Sequence, residues 1–151
     1  MTPFDLAQRF VGEVKELPGV AQHPLIQWWL SLCGFGFDAA DEIPWCSAFV
    51  NGIAWELRLP RSKSAAARSW LGIGQSLLIA DARPGYDVAI FRRFINGMDN
   101  GISGHVGFFA GLDHVGGGRE VRIISGNVGN TITIDSFPIA DLLGIRRLAA
   151  A

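Results

Sequence analysis

Only two cysteines, Cys33 and Cys46, occur in 151 residues, and so few thiols argue against a disulfide-stapled secreted scaffold. A net charge of -1 argues against a nucleic-acid binder, whose footprint is a basic surface. The pairs Arg92-Arg93 and Arg146-Arg147 read as small solvated clusters. No apolar run is long enough to span a bilayer, so no membrane insertion is expected. The N-terminus intersperses Asp5, Arg9, Glu13 and Lys15, which reads as an amphipathic helix and not a signal peptide. Synthesis in the cytoplasm follows as an expectation. Repeats and linkers are missing too; the glycines are scattered among turns. One domain over residues 1–151 is expected, with a substantial core, since 49% of the residues are apolar. The histidines His23, His105 and His114 lack the short spacing of a metal site. Asp38, Asp41 and Glu42 lack the dense alternation of oxygen ligands that calcium needs. No metal or cofactor is therefore expected.

What is present begins at Cys46, in Asp41-Glu42-Ile43-Pro44-Trp45-Cys46-Ser47-Ala48-Phe49-Val50. Pro44 suits the opening of a helix, and Asp41 is a candidate cap. Phe49, Val50, Ile53, Ala54 and Leu57 then recur at helical spacing. The thiol thus falls at the positive end of a helix, where unpaired N–H groups and the helix dipole favour the nucleophilic thiolate. The competing reading is a buried cysteine that only packs, as is expected of Cys33.

A base is offered by Gly104-His105-Val106-Gly107-Phe108-Phe109, a strand pattern that opens on a histidine. Residues 87–91 predict an antiparallel neighbour. Asn96-Gly97 and Asn100-Gly101 supply turns between the two. The third candidate is Asn127, between Gly126 and Gly129 after the strand pattern at residues 121–125. Its amide can orient an imidazole and steady the imidazolium. Taken singly, His105 is equally a satisfied core histidine, and Asn127 or Asn130 ordinary turn chemistry. The order Cys, His, Asn strengthens the joint reading.

Together Glu16-Leu17-Pro18-Gly19, His23-Pro24-Leu25-Ile26, Asp41-Glu42-Ile43-Pro44-Trp45-Cys46-Ser47-Ala48-Phe49, Ala67-Arg68-Ser69-Trp70, Gly104-His105-Val106-Gly107-Phe108 and Ser125-Gly126-Asn127 resemble the CHAP-like branch of the NlpC-type papain-fold cysteine peptidases. The resemblance runs from about residue 16 to residue 147. It implies an endolysin-like hydrolase of peptidoglycan, either an amidase or an endopeptidase, often phage-encoded and released by a holin or a secretion machine. It implies Cys46 as nucleophile, His105 as base and Asn127 as the group that orients the base. Trp45, Ser47, Asp41 and Trp70 are expected around the oxyanion and the substrate, with Trp45 equally placed to pack in the core. Peptidoglycan is the expected partner of a monomeric chain. Two positions depart from the family pattern: Tyr86 is inserted in Pro84-Gly85-Tyr86-Asp87, and Val128 stands where glutamine commonly follows Gly-Asn. The alternatives are a silent wall-binding or phage structural module, and a cysteine acyltransferase or deamidase acting on another amide.

The predicted layout is α+β, with N-terminal helices packed on an antiparallel sheet. A first helix carries the stripe Leu6, Phe10, Val14 and Leu17; others cover residues 24–32 and 46–57, with Trp28, Trp29 and Trp55 in the core. Ser64 is a candidate N-cap for a short helix through Trp70. Strands are expected at residues 87–91, 105–110, 121–125, 131–134 and 145–148, with Gly116-Gly117-Gly118 as a turn.

Overall fold

The computed structural model describes residues 1–15, 23–36 and 43–148. Among these residues three helices, α1 (Pro3–Gln8), α2 (Pro24–Ser31) and α3 (Cys46–Glu56), precede six strands. The strands are β1 (Gln75–Leu77), β2 (Asp87–Ile95), β3 (Met98–Val115), β4 (Gly118–Val128), β5 (Thr131–Pro138) and β6 (Leu142–Arg147). They form one antiparallel sheet in the order β1-β6-β2-β3-β4-β5. The expected α+β layout is the observed one.

Turn chemistry fixes the register of the central strands. Ile95 pairs with Met98, Val115 with Gly118 and Val128 with Thr131, so each hairpin closes on a two-residue loop. The loop residues Asn96-Gly97, Gly116-Gly117 and Gly129-Asn130 all have positive φ, the conformation that matches the twist of paired strands. Asn100-Gly101, by contrast, lies inside β3, close to where the β2–β3 register shifts between Arg92 and Phe94. The result is a β2–β3 hairpin much longer than the predicted strands.

Alternation sorts the sheet into two faces. Val88, Ile90, Val106, Phe108, Ile124 and Ile132 join Phe49, Val50 and Ile53 of α3 in the larger core. Ala89, Phe91, Phe109, Val121, Ile123 and Ile145 form a second core on the opposite face, where Phe137 and Leu142 also pack. Helix α3 is buried at every position from Cys46 to Ala54. Gly52 permits that, because a Cβ there would run into the Trp29 ring.

Several expectations need correction. Helix α1 stops at Gln8, held at its start by a reciprocal capping box between Thr2 and Asp5, and Gly12 then takes φ +76. Phe10 and Val14 still pack on the core from a run of turns; Leu17 lies outside the described residues. Ser64 does not cap a helix: its Oγ accepts from Ala66 N–H at 3.1 Å, and the 3-10 turn Ala67–Gly72 begins after Ala66 with no side-chain cap. Trp55 is exposed, with its ring edge-on to Trp28, because it sits on the solvent side of the last turn of α3. The terminal arginines are not solvated bystanders. Arg147 makes a bidentate pair with the buried Asp87 (both contacts 2.8 Å), and Arg146 donates to Leu71 O. Asp87 also accepts from Arg83 N–H at 2.7 Å, so the loop that carries the inserted Tyr86 closes on this carboxylate.

Candidate active site

Cys46 is the first residue of α3, after Trp45 as N-cap. The indole of Trp45 is fully buried, near-parallel to Trp29, and Gly126 of β4 makes room for it: a Cβ there would lie 2.5 Å from Trp45 Cζ3. The next turn of the helix is pinned by buried polar groups. Ser47 Oγ donates to Ser64 O at 2.6 Å and accepts from Trp70 Nε1 at 2.9 Å, while Asn51 Nδ2 donates to Ser47 O and Ser62 Oγ. These bonds fix where the first turn of α3 meets the sheet.

Trp45, Ser47 and Trp70 are thereby corrected from substrate contacts to framework: all three are fully buried. For Trp45 the packing alternative is the observed one. Asp41 lies outside the described residues, as do Asp38 and Glu42.

His105 sits on β3 opposite Phe91 and shares its face with the second core. Its ring stacks on Phe137 (centroids 5.0 Å apart), and its Nε2 is 2.8 Å from Ser125 Oγ. The Cys46 sulfur approaches the same strand from the helix side, close enough to the N–H of Val106, the residue after His105, to feel its dipole. Here β3 and β4 part, since their registered ladder starts at Phe108↔Ile124 and runs away from the site. Thiol and imidazole thus lie at consecutive residues of β3 but on opposite faces, the sulfur with the α3 core and the ring with Phe91 and Phe137, and no hydrogen bond joins them.

Asn127 lies across the opening, in the left-handed region at φ 64, within the register shift between Ser125 and Val128. It lines a groove of about 400 Å³ with His105, Arg93 and Val128. A second groove of about 230 Å³ holds Cys46 and is walled by Pro44, Ala65, Ala67 and the hairpin residues Ile95 and Ile102. Arg93 borders both.

Electrostatics reverse one expectation. Burial raises the Cys46 thiol above the ordinary range and outweighs the N–H groups of Val106 and Ser47 and the charge of Arg93, which act to lower it. The His105 imidazole is pushed down to about 4, chiefly by burial and then by Arg93, with Asp135 opposing. The resting pair is therefore neutral thiol and neutral imidazole. Cys33, packed at the edge of the core, is pushed up to about 11 by burial.

No family model and no curated protein matches the chain. Among solved structures it is similar to NlpC1 from Trichomonas vaginalis, with a TM-score of 0.57 and 19% identity over 97% of this chain and 42% of that one. The fold is papain-like, of the NlpC type. The chain spans less than half the length of that neighbour, and at this identity the likeness speaks for the fold alone.

In this NlpC-type fold two residues outside the predicted set, Ser125 and Arg93, also stand at the site. Ser125 was legible in principle, as a polar residue that follows Val121 and Ile123 on one buried face of its strand. Arg93 looked like surface charge, and only the folded hairpin brings it to the cysteine. His23 has a different task from either: its Nδ1 accepts from Leu25 N–H at 3.1 Å and caps α2.

Proposed function

We propose that the protein is a cysteine hydrolase of amide bonds in peptidoglycan, resembling the CHAP-like endolysins, with Cys46 as nucleophile and His105 as base. The observation that carries this reading is the approach of the Cys46 sulfur to the peptide that follows His105, at an opening in the sheet bordered by two grooves. We take Nδ1, the ring nitrogen that Ser125 does not engage, as the acceptor of the thiol proton, which requires the ring to turn toward Cys46 from its stack on Phe137. Burial keeps both groups neutral at rest, so the proton moves as substrate binds and the sulfur attacks.

The sulfur forms a bond to the amide carbon while the thiol proton passes to His105. The imidazolium then gives that proton to the departing amine as the C–N bond breaks, leaving a thioester. Water, deprotonated by His105, opens the thioester and returns the thiol. In this reading the backbone N–H groups at the start of α3, that of Cys46 among them, meet the oxyanion. Asn127 acts on the ring of His105 from across the opening, alongside Ser125.

The test is mass analysis of fragments released from purified peptidoglycan by the wild type and by Cys46→Ala. Release of an amine and a carboxyl terminus at one stem-peptide position, absent in the variant, is the expected result. Wild-type protein that releases nothing, or a variant that matches it, refutes the reading. Acyl transfer to an added amine with no wall fragments would identify a cysteine acyltransferase instead.

A further inference from the structure

Five arginines of the sheet and its adjoining turn have partners. Arg68 pairs with Asp99, Arg92 with Asp141, Arg122 with Asp113 and Arg147 with Asp87, while Arg146 donates to Leu71 O. Arg93 differs. Among the described residues, no hydrogen bond or ion pair engages its guanidinium. It stands at the seam of the two grooves, between the one that holds Cys46 and the one that holds His105.

We infer that Arg93 binds the substrate, and that the substrate carries a free carboxylate beside the amide that Cys46 attacks. This rests on the hydrolase reading for the identity of the reaction, but not for the existence of the carboxylate site. A guanidinium presents a planar fork of donors that matches a carboxylate, and such a charge-assisted pair is stronger than a neutral hydrogen bond. The Cys46 groove, walled by Ala65, Ala66, Ala67, Ile95 and Ile102, offers the carboxylate no competing cation. The acid that lines the other groove, Asp141, is already held by Arg92. An acyl group seated over the thiol therefore brings a neighbouring carboxylate to Arg93 and to no other unpaired cation lining either groove. Arg93 also lies close enough to act on both Cys46 and His105, consistent with one group touching both halves of the site.

The test compares alkylation of Cys46 by iodoacetate, which carries a carboxylate, with alkylation by neutral iodoacetamide, read by peptide mapping at pH 7. The ratio of the two rates cancels any change in the thiol itself. Arg93→Gln is expected to lower the iodoacetate-to-iodoacetamide ratio about tenfold, the size of a lost charge-assisted hydrogen bond, and Arg93→Lys to restore most of it. In parallel, kcat/KM is measured on a pair of wall peptides identical except that one carboxylate next to the cut is amidated. The wild type should prefer the free acid, chiefly through KM, and Arg93→Gln should lose that preference. An alkylation ratio unchanged in Arg93→Gln overturns the proposal whatever the peptides do. Wild-type protein that cuts neither peptide but shows the alkylation difference refutes the hydrolase reading and upholds the carboxylate site.

Discussion

Ser125 Oγ lies 2.8 Å from Nε2 of His105, so β4 grips the imidazole of β3 through a buried hydroxyl. Removing it frees the ring to rotate without touching the nucleophile. Ser125→Ala is expected to lower kcat by roughly fivefold, about the worth of one hydrogen bond, with KM little changed. Asn127 needs a more careful probe, because it sits at φ 64 and a Cβ without its amide is strained there. Asn127→Gly keeps the backbone and removes the side chain. Steady-state kinetics on the two variants identify the main orienting partner: a larger loss in Asn127→Gly than in Ser125→Ala would assign that role to Asn127.

Burial of His105 makes stability depend on pH in a definite direction. The ring titrates near 4 when folded, against 6.5 as its ordinary value. Between those values the unfolded chain binds a proton that the folded chain refuses, so stability falls as pH falls through the window. The loss approaches about 3 kcal/mol by pH 4, and this ring contributes no slope above about pH 7. Chemical denaturation of wild type and His105→Gln at pH 7 and pH 4.5 checks it. Equal pH dependence in the two proteins would exclude the ring as the source.

The neutral resting state predicts the reactivity of the thiols. Iodoacetamide should label Cys46 with a rate that keeps rising above pH 8, without the plateau in mild acid that a preformed thiolate–imidazolium pair gives. Cys33, pushed up to about 11, should lag behind Cys46, which borders the groove at the start of α3. A plateau between pH 5 and 6, followed by peptide mapping, would overturn the neutral assignment.

The parts of this fold that were legible are those set by local chemistry. Asn96-Gly97 and Gly116-Gly117 announce two-residue turns because positive φ is cheap there, and Phe49 to Ala54 announce a helix by their period. The strands run further than expected because pairing, and not composition, carries β2 to Ile95 and β3 from Met98. β1 at Gln75–Leu77 has almost no pattern of its own and exists through its pairing with β6. The effect of burial on Cys46 was invisible for the same reason: a helix dipole is a local property, whereas desolvation depends on everything packed around the sulfur. Asp87 shows the limit most clearly. Its sequence neighbours mark only a turn before a strand, yet its partner Arg147 comes from the far end of the chain.

That pair makes a strong stability prediction. Asp87 is fully buried and accepts from Arg147 and from Arg83 N–H. Asp87→Ala leaves a guanidinium and a backbone donor without their acceptor, and on the order of 3 kcal/mol should be lost. Calorimetry should record a Tm lowered by several degrees. The double variant Asp87→Ala, Arg147→Met should recover part of the loss, because no unpaired charge remains. A double variant less stable than Asp87→Ala would contradict this account.

Gly126 offers the sharpest link between packing and the site. A Cβ at that position would lie 2.5 Å from Cζ3 and 2.7 Å from Cε3 of Trp45, and 3.3 Å from Phe49 Cβ. None of these neighbours is a flexible tip, so Gly126→Ala must push Trp45, and with it the first turn of α3, away from β4. Overpacking of this kind costs about 1–3 kcal/mol. The displaced turn carries Cys46, so activity should fall further than stability explains. Measured at a temperature where the variant is fully folded, kcat should drop at least tenfold, since small misplacements of a reacting group are expensive. A control is Gly117→Ala, in the β3–β4 turn at φ +81 with open space around it: it should lose stability through backbone strain and keep kcat. Parallel losses of kcat in the two variants would mean that Trp45 does not position the nucleophile.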